Sequence, residues 1–164
     1  MYPKAHLVGE NSKASFNNII YCGGDSRVNA GSLLDLSGKG SSGQIISRVL
    51  AKDNAQITAP GKLLGRNEKV KAHMECRGLL LNDGAVITAI PELMSEYQDV
   101  DMSHEAAVGK IADKEINYLM SRGLTKDEAT SVIVRGFLDV DILGLSPELS
   151  QQVADIVDQM VEGL

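Results

Sequence analysis

The chain has 164 residues, 43% of them hydrophobic, which is enough to bury one sizeable core and too many for a disordered segment. Its formal net charge of -6 argues against a nucleic-acid face built from clustered Lys and Arg. Only 4% of residues are aromatic and Trp is absent, so the core must be aliphatic, and no run approaches the ~18 apolar residues of a membrane span.

The first residues, Met1-Tyr2-Pro3-Lys4-Ala5-His6, carry no apolar run, so no secretory leader is expected. Two cysteines far apart, Cys22 and Cys76, fit free thiols in a reducing cytoplasm. Eleven of the sixteen glycines fall before residue 102. Short aliphatic or β-branched runs alternate with turn-formers in that half. The runs are Ile19-Ile20-Tyr21, Ser32 to Leu36, Ile45 to Leu50, Leu79-Leu80-Leu81 and Ala85-Val86-Ile87. The turn-formers are Gly23 to Ser26, Gly38 to Gly43, Lys52-Asp53-Asn54 and Asn82-Asp83-Gly84. Such punctuation predicts an all-β unit over 1–103. Ala55-Gln56-Ile57-Thr58-Ala59 and Ala85-Val86-Ile87-Thr88-Ala89 are alike. A loose repeat of short strands fits a β-helix, in which each coil stacks on the next, although the period is irregular.

From 104 to 164 the pattern becomes helical. Asp113 is placed to cap a helix bearing Ile116, Leu119 and Met120, with Gly123 as its left-handed stop. Thr125-Lys126-Asp127-Glu128 reads as a capping box, followed by apolar Ala129, Val132, Ile133, Phe137 and Val140. Ser146-Pro147-Glu148 starts a third helix, with a stripe of Leu149, Val153, Ile156, Val157, Met160 and Val161. The expected fold class is therefore mainly β with a small three-helix tail.

Gly38-Lys39-Gly40-Ser41-Ser42-Gly43 matches G-x-G-x-x-G, but a dinucleotide site needs a helix next, and Gln44 to Val49 reads as a strand. No Gly-Lys pair is followed by Ser or Thr, so there is no Walker A loop and any ATP hydrolysis belongs to another chain. Cys76 has two readings. One is a small buried thiol. The other is a reactive thiolate favoured by the cationic neighbour Arg77. His73, three residues earlier, would point to the opposite face of a strand and is read as solvent-facing. His104-Glu105 is read either as a half-exposed turn or as an imidazole and a carboxylate suited to iron and proton transfer. Cys22 has no recognisable partners and is read as buried.

Three phrases carry a family resemblance: Asp101-Met102-Ser103-His104-Glu105-Ala106-Ala107-Val108-Gly109, Tyr118-Leu119-Met120-Ser121-Arg122-Gly123-Leu124 and Val134-Arg135-Gly136-Phe137. With them, residues 40–164 resemble the C-terminal part of the SufB/SufD family, the scaffold proteins of the Suf iron–sulfur cluster assembly system, and are the more SufB-like for having Glu105. The resemblance implies a right-handed parallel β-helix, of which this chain holds the last coils, followed by a helical domain. It implies a non-enzymatic, cytoplasmic scaffold that holds a transient cluster, of the [4Fe-4S] type. Cys76 would accept sulfur and hold the cluster. His104 and Glu105 would be iron ligands. The partners implied are a second SufB- or SufD-type subunit and an ABC-type ATPase, SufC, docked on the helical tail. The alternative is an interaction module that pairs with that ATPase and holds no cluster.

Overall fold

The structure, a computed structural model, describes residues 1–139 and 146–162. It contains two compact units, Met1–Gly109 and Lys110–Leu164. The first is a β-solenoid of about four turns. Its strands are β1 (Lys4–Leu7), β2 (Lys13–Cys22), β3 (Arg27–Asn29), β4 (Ser32–Leu36), β5 (Ser42–Ala51), β6 (Gln56–Gly65), β7 (Val70–Leu80), β8 (Val86–Ser95) and β9 (Val100–Lys110). One sheet runs β1-β4-β6-β3 with β8 added to β6, and the other runs β2-β5-β7-β9. The chain crosses from one sheet to the other and returns one coil further on, so strands stack parallel on their counterparts.

The coil length explains the repeat seen in the sequence. Asn18 and Ser47, partners on β2 and β5, are 29 residues apart, while Lys62 and Glu92 on β6 and β8 are 30 apart. The two similar phrases are successive coils, with Ile57 paired to Ile87 and Thr58 to Thr88. The change from 29 to 30 is absorbed in the turn after β7. A single inserted residue there is enough to hide the period from inspection.

The corners stack as well. Asn11, Gly40 and Lys69 occupy the left-handed region, with φ of 55°, 67° and 59°, at the same place in successive coils. Gly24 and Asp53 do the same at the opposite corner, with φ of 62° and 60°. Only glycine adopts this region freely, with Asn and Asp next. The Gly38 to Gly43 run is therefore a corner, and the strand β5 follows it, not the helix that a dinucleotide loop requires.

Alternating residues of the two sheets point inward and form the core. Leu34, Leu36, Ile45, Leu63, Val70 and Met74 fill one end of the cross-section, and Val49, Ala51, Ala55, Ile57 and Cys76 fill the other. Inside the solenoid Asn18 Nδ2 donates to Ser32 Oγ (3.2 Å) and to Ser47 Oγ (3.1 Å), whereas the buried Ser41 Oγ has no hydrogen-bond partner. A buried hydroxyl without a partner would cost about 1–3 kcal/mol, and Asn18 removes that cost for both serines.

The second unit contains α1 (Asp113–Met120), α2 (Lys126–Leu138) and α3 (Pro147–Glu162). The capping box is present, with Thr125 accepting from the Glu128 backbone and Glu128 accepting from the Thr125 N–H at 2.7 Å. Asp113 does not cap α1. The N-cap is Ala112, which has no side-chain bond, and Asp113 is the first helical residue, where its charge still suits the helix dipole. Gly123 has φ 101°, as a stop requires. The buried stripe of α2 is Ala129, Val134 and Leu138, while Val132 is exposed and Val140 lies outside the described residues. On α3, Val157 and Val161 are buried, while Leu149 and Ile156 remain about half exposed. Residues 104–110, grouped with the tail on sequence, complete strand β9.

Candidate functional site

β7 places Cys76. Along this strand Val70, Ala72, Met74 and Cys76 are buried, while Lys71, His73, Glu75 and Arg77 face outward, which is the period of two of a strand covered on one side. Cys76 is 6% exposed. β9 lies beside β7, and the hydrogen bond between His73 and Ser103 Oγ (2.8 Å), across 30 residues, fixes their relative register. That register sets His104 next to Met74, on the inner side of the last coil.

Cys76, which is buried, and His104, which is exposed, consequently line one open pocket, together with Ile45, Ser47, Ala59, Gly61, Met74, Ala89 and Pro91. The cavity has room of about 10 Å³, close to the lower limit for one water molecule. Two residues 28 positions apart in sequence are thus brought to one small space, because a coil is 29 or 30 residues long.

Glu105 is not in the lining. Neighbouring strand residues point to opposite faces. Glu105 is on the outer face, where Arg77 Nη2 lies 3.5 Å from its carboxylate. Arg77 also reaches Glu75 at 3.1 Å, and Glu75 pairs with Arg48, so an alternating ladder of charge runs across β5, β7 and β9. His104 and Glu105 of one chain do not converge on one ion. Among the described residues no three His, Cys, Asp or Glu side chains are placed to hold a metal. His73 is outward, as the strand period predicts. Cys22 is buried in the same core cluster as Cys76, and both are free thiols.

Ser47 and Met74 line the cavity and carry no signal of their own in the sequence. The signal was the coil length: stepping back 29 residues from Cys76 lands on Ser47, its partner in the ladder.

Burial pushes the Cys76 thiol above its ordinary value of 9.0; the nearby Arg48 guanidinium pulls it down and Glu75 pushes it up, with burial dominant. The neutral thiol is therefore favoured by folding. The stabilisation is complete below the unfolded value and is lost as pH rises through it towards the raised folded value. In urea unfolding, parent and Cys76→Ala should differ by more at about pH 8 than at about pH 10. Cys22 is common to both proteins and cancels. A difference independent of pH would contradict the assigned burial effect.

Comparison with known proteins gives the family. The family model described as the SUF system FeS cluster assembly, SufBD core domain, matches residues 1–137, which includes the first 39 residues not covered by the motif resemblance. An iron–sulfur cluster assembly SufBD family protein of Methanothermobacter thermautotrophicus (strain Winter) is 49% identical over 99% of this chain and 40% of its own length. One of Archaeoglobus fulgidus is 46% identical over 98% of this chain and 43% of its own length. One of Staphylococcus saprophyticus is 29% identical over 99% of this chain and 35% of its own length. The chain thus spans well under half the length of these relatives. No helix among the described residues is long and apolar enough to cross a membrane. A stacked β-solenoid, the cavity joining Cys76 to His104 and a match over residues 1–137 lead to one conclusion: the chain belongs to the SufBD core family of the SUF iron–sulfur cluster assembly system.

Proposed function

We propose that this chain is a scaffold for iron–sulfur cluster assembly, and not an enzyme, with Cys76 as the sulfur acceptor and His104 as an iron ligand. The observation that supports it is the shared cavity: a soft thiol and an imidazole, distant in sequence, meet beside the last coil. Sulfur would arrive by exchange. The Cys76 thiol, which burial holds neutral, first gives up its proton; its thiolate attacks the outer sulfur of a donor persulfide, a new S–S bond forms, the old one breaks, and the departing donor thiolate takes up the proton. No external oxidant or reductant is needed. The space at Cys76 suits one added atom rather than a cluster of several.

Iron–sulfur clusters are held by several ligands, typically four thiolates, and one chain offers one thiolate and one imidazole here. A second SufB- or SufD-type subunit would supply the rest, with Glu105 of either chain reaching iron only from the outer face. The transient cargo is then a cluster of the [4Fe-4S] type, assembled where two subunits meet in the cytoplasm. An ABC-type ATPase, SufC, would dock on the helices at 113–162, as the family resemblance implies, and its ATP cycle would open the site.

The test is reconstitution with iron and sulfide without oxygen, on the chain with its partner subunit. The parent should gain a brown chromophore with visible absorbance. Cys76→Ser should lose most of it, and His104→Ala should weaken it. If Cys76→Ser takes up as much iron and sulfide as the parent, the assignment fails, and the chain is better read as a docking module for the ATPase.

A further inference from the structure

Asn18, Ser47 and Cys76 form one row across the solenoid. They are ladder partners on β2, β5 and β7, one coil apart at each step, and Ser47 stands between the other two. Ser47 and Cys76 are 8% and 6% exposed, and both line the pocket. Adjacent strands are about 4.8 Å apart, so their side chains are neighbours on the inner face. A sulfur added to Cys76 reaches about 2 Å beyond the first, into the space that Ser47 also borders.

Asn18 sets the direction of hydrogen bonding along the row. Its amide nitrogen carries two hydrogens, and these go to Ser32 Oγ and Ser47 Oγ. Ser47 Oγ is therefore an acceptor on its β2 side, and its own hydrogen is left to donate elsewhere. Among the described residues it donates to none. Ile45 and Val49, which flank Ser47 on the inner face of β5, are apolar. On its β7 side stands Cys76. A persulfide there supplies an acceptor, its terminal sulfur. Left unpaired among apolar walls, a polar group is costly, and a charged one more so.

We propose that Ser47 holds the terminal sulfur of a Cys76 persulfide by a donated hydrogen bond, and that Asn18 is the positioning residue that turns the Ser47 hydroxyl toward it. The inference rests on the reading of Cys76 as the sulfur acceptor. Sulfur transfer itself is the exchange already described: Ser47 keeps its proton throughout, and no covalent bond to it forms or breaks. The resting thiol does not use the Ser47 hydrogen; the persulfide does.

The experiment equilibrates the full chain with glutathione persulfide and glutathione without oxygen, and mass spectrometry reads the persulfide on each cysteine. Ser47→Ala should lower the equilibrium constant for sulfur exchange onto Cys76 by at least roughly tenfold, the value of one hydrogen bond to a charged group. Asn18→Asp should lower it by a similar factor with Ser47 and Cys76 both intact, because an ionised carboxylate only accepts and takes the Ser47 hydrogen for itself. The rate at which iodoacetamide alkylates the resting Cys76 thiol should stay near the parent's in Ser47→Ala, which a collapsed or disordered pocket would not allow. The two variants act on the row from different residues, so either one decides the matter if the other folds poorly. Parent-like exchange in Ser47→Ala or in a folded Asn18→Asp would overturn the proposal, and so would equal changes in exchange and alkylation. If the parent takes sulfur on Cys22 and leaves Cys76 unmodified, the acceptor reading itself fails; if Cys76 takes sulfur and Ser47→Ala matches the parent, only the role of the row fails.

Discussion

Replacing Gly31 with Ala is expected to prevent the solenoid from stacking. Gly31 sits between β3 and β4, against Pro60 of the next coil, and a Cβ there would lie 1.7 Å from the Pro60 carbonyl oxygen. The clash is with backbone and cannot be relieved by turning a side chain. Pro60 has no N–H to give to the coil beneath it, and the ladder is interrupted at this point, between the pairs Asn29 with Thr58 and Ser32 with Gly61. On either side of this gap Gly31 N–H donates to Met1 O and Ala30 N–H to Thr58 O, both at 3.0 Å, which holds Gly31 close against its neighbours. Overpacking a tight core contact costs about 1–3 kcal/mol, and a backbone clash at a coil junction belongs at or above the upper end. A loss of about 3 kcal/mol should lower the melting temperature of a unit this size by more than about 10 °C. Gly109→Ala is the control, since an added Cβ there meets nothing within 4 Å. A Gly31→Ala melt within about 2 °C of the parent would refute the stacking account.

Arg48→Ala should be the most damaging substitution on the outer face. The Arg48 and Glu75 side chains are only 12% and 14% exposed, and they pair across β5 and β7. Removing one partner of a largely buried pair leaves an uncompensated charge, at a cost of about 3–5 kcal/mol. Arg77 lies 3.1 Å from the same Glu75 carboxylate and moderates the loss, so about 3 kcal/mol is expected. Removing both charges together, as Arg48→Met with Glu75→Leu, should return stability to within about 1 kcal/mol of the parent. Equilibrium urea unfolding of the single and double variants gives the coupling directly. If Arg48→Ala loses under about 1 kcal/mol, the pair is better solvated than its burial indicates.

The contrast between Lys39 and Arg48 shows why ion pairs on one solenoid differ in weight. Lys39 and Glu68 are 2.8 Å apart across a corner, but both are about half exposed, and solvent screens them. Arg48 and Glu75 lie on the flat face of a sheet, where neighbouring strands exclude water. The same rule separates Glu105, half exposed at the end of the ladder, from Glu75 in its middle.

The sequence by itself determined what depends on near neighbours. Thr125 and Glu128 are three apart, and their reciprocal bonds form within one helical turn, so the start of α2 was legible without any tertiary information. The change from β to helical pattern, the corner at Gly38 to Gly43, and the opposite faces of His73 and Cys76 follow equally from local periods. Tertiary structure decided what depends on coil length. The meeting of Cys76 with His104, the addition of Met74 and Ser47, and the close approach at Gly31 all require residues 28 to 30 apart to be stacked. The outward turn of Glu105 required β9 to extend past residue 103, and the apolar–polar alternation that would have shown this fades in a strand exposed over most of its length. The physical reason is that a parallel ladder is paired by hydrogen bonds between distant backbone groups, which are alike at every residue; register is chosen by how whole coils pack, and no short stretch of side chains carries it.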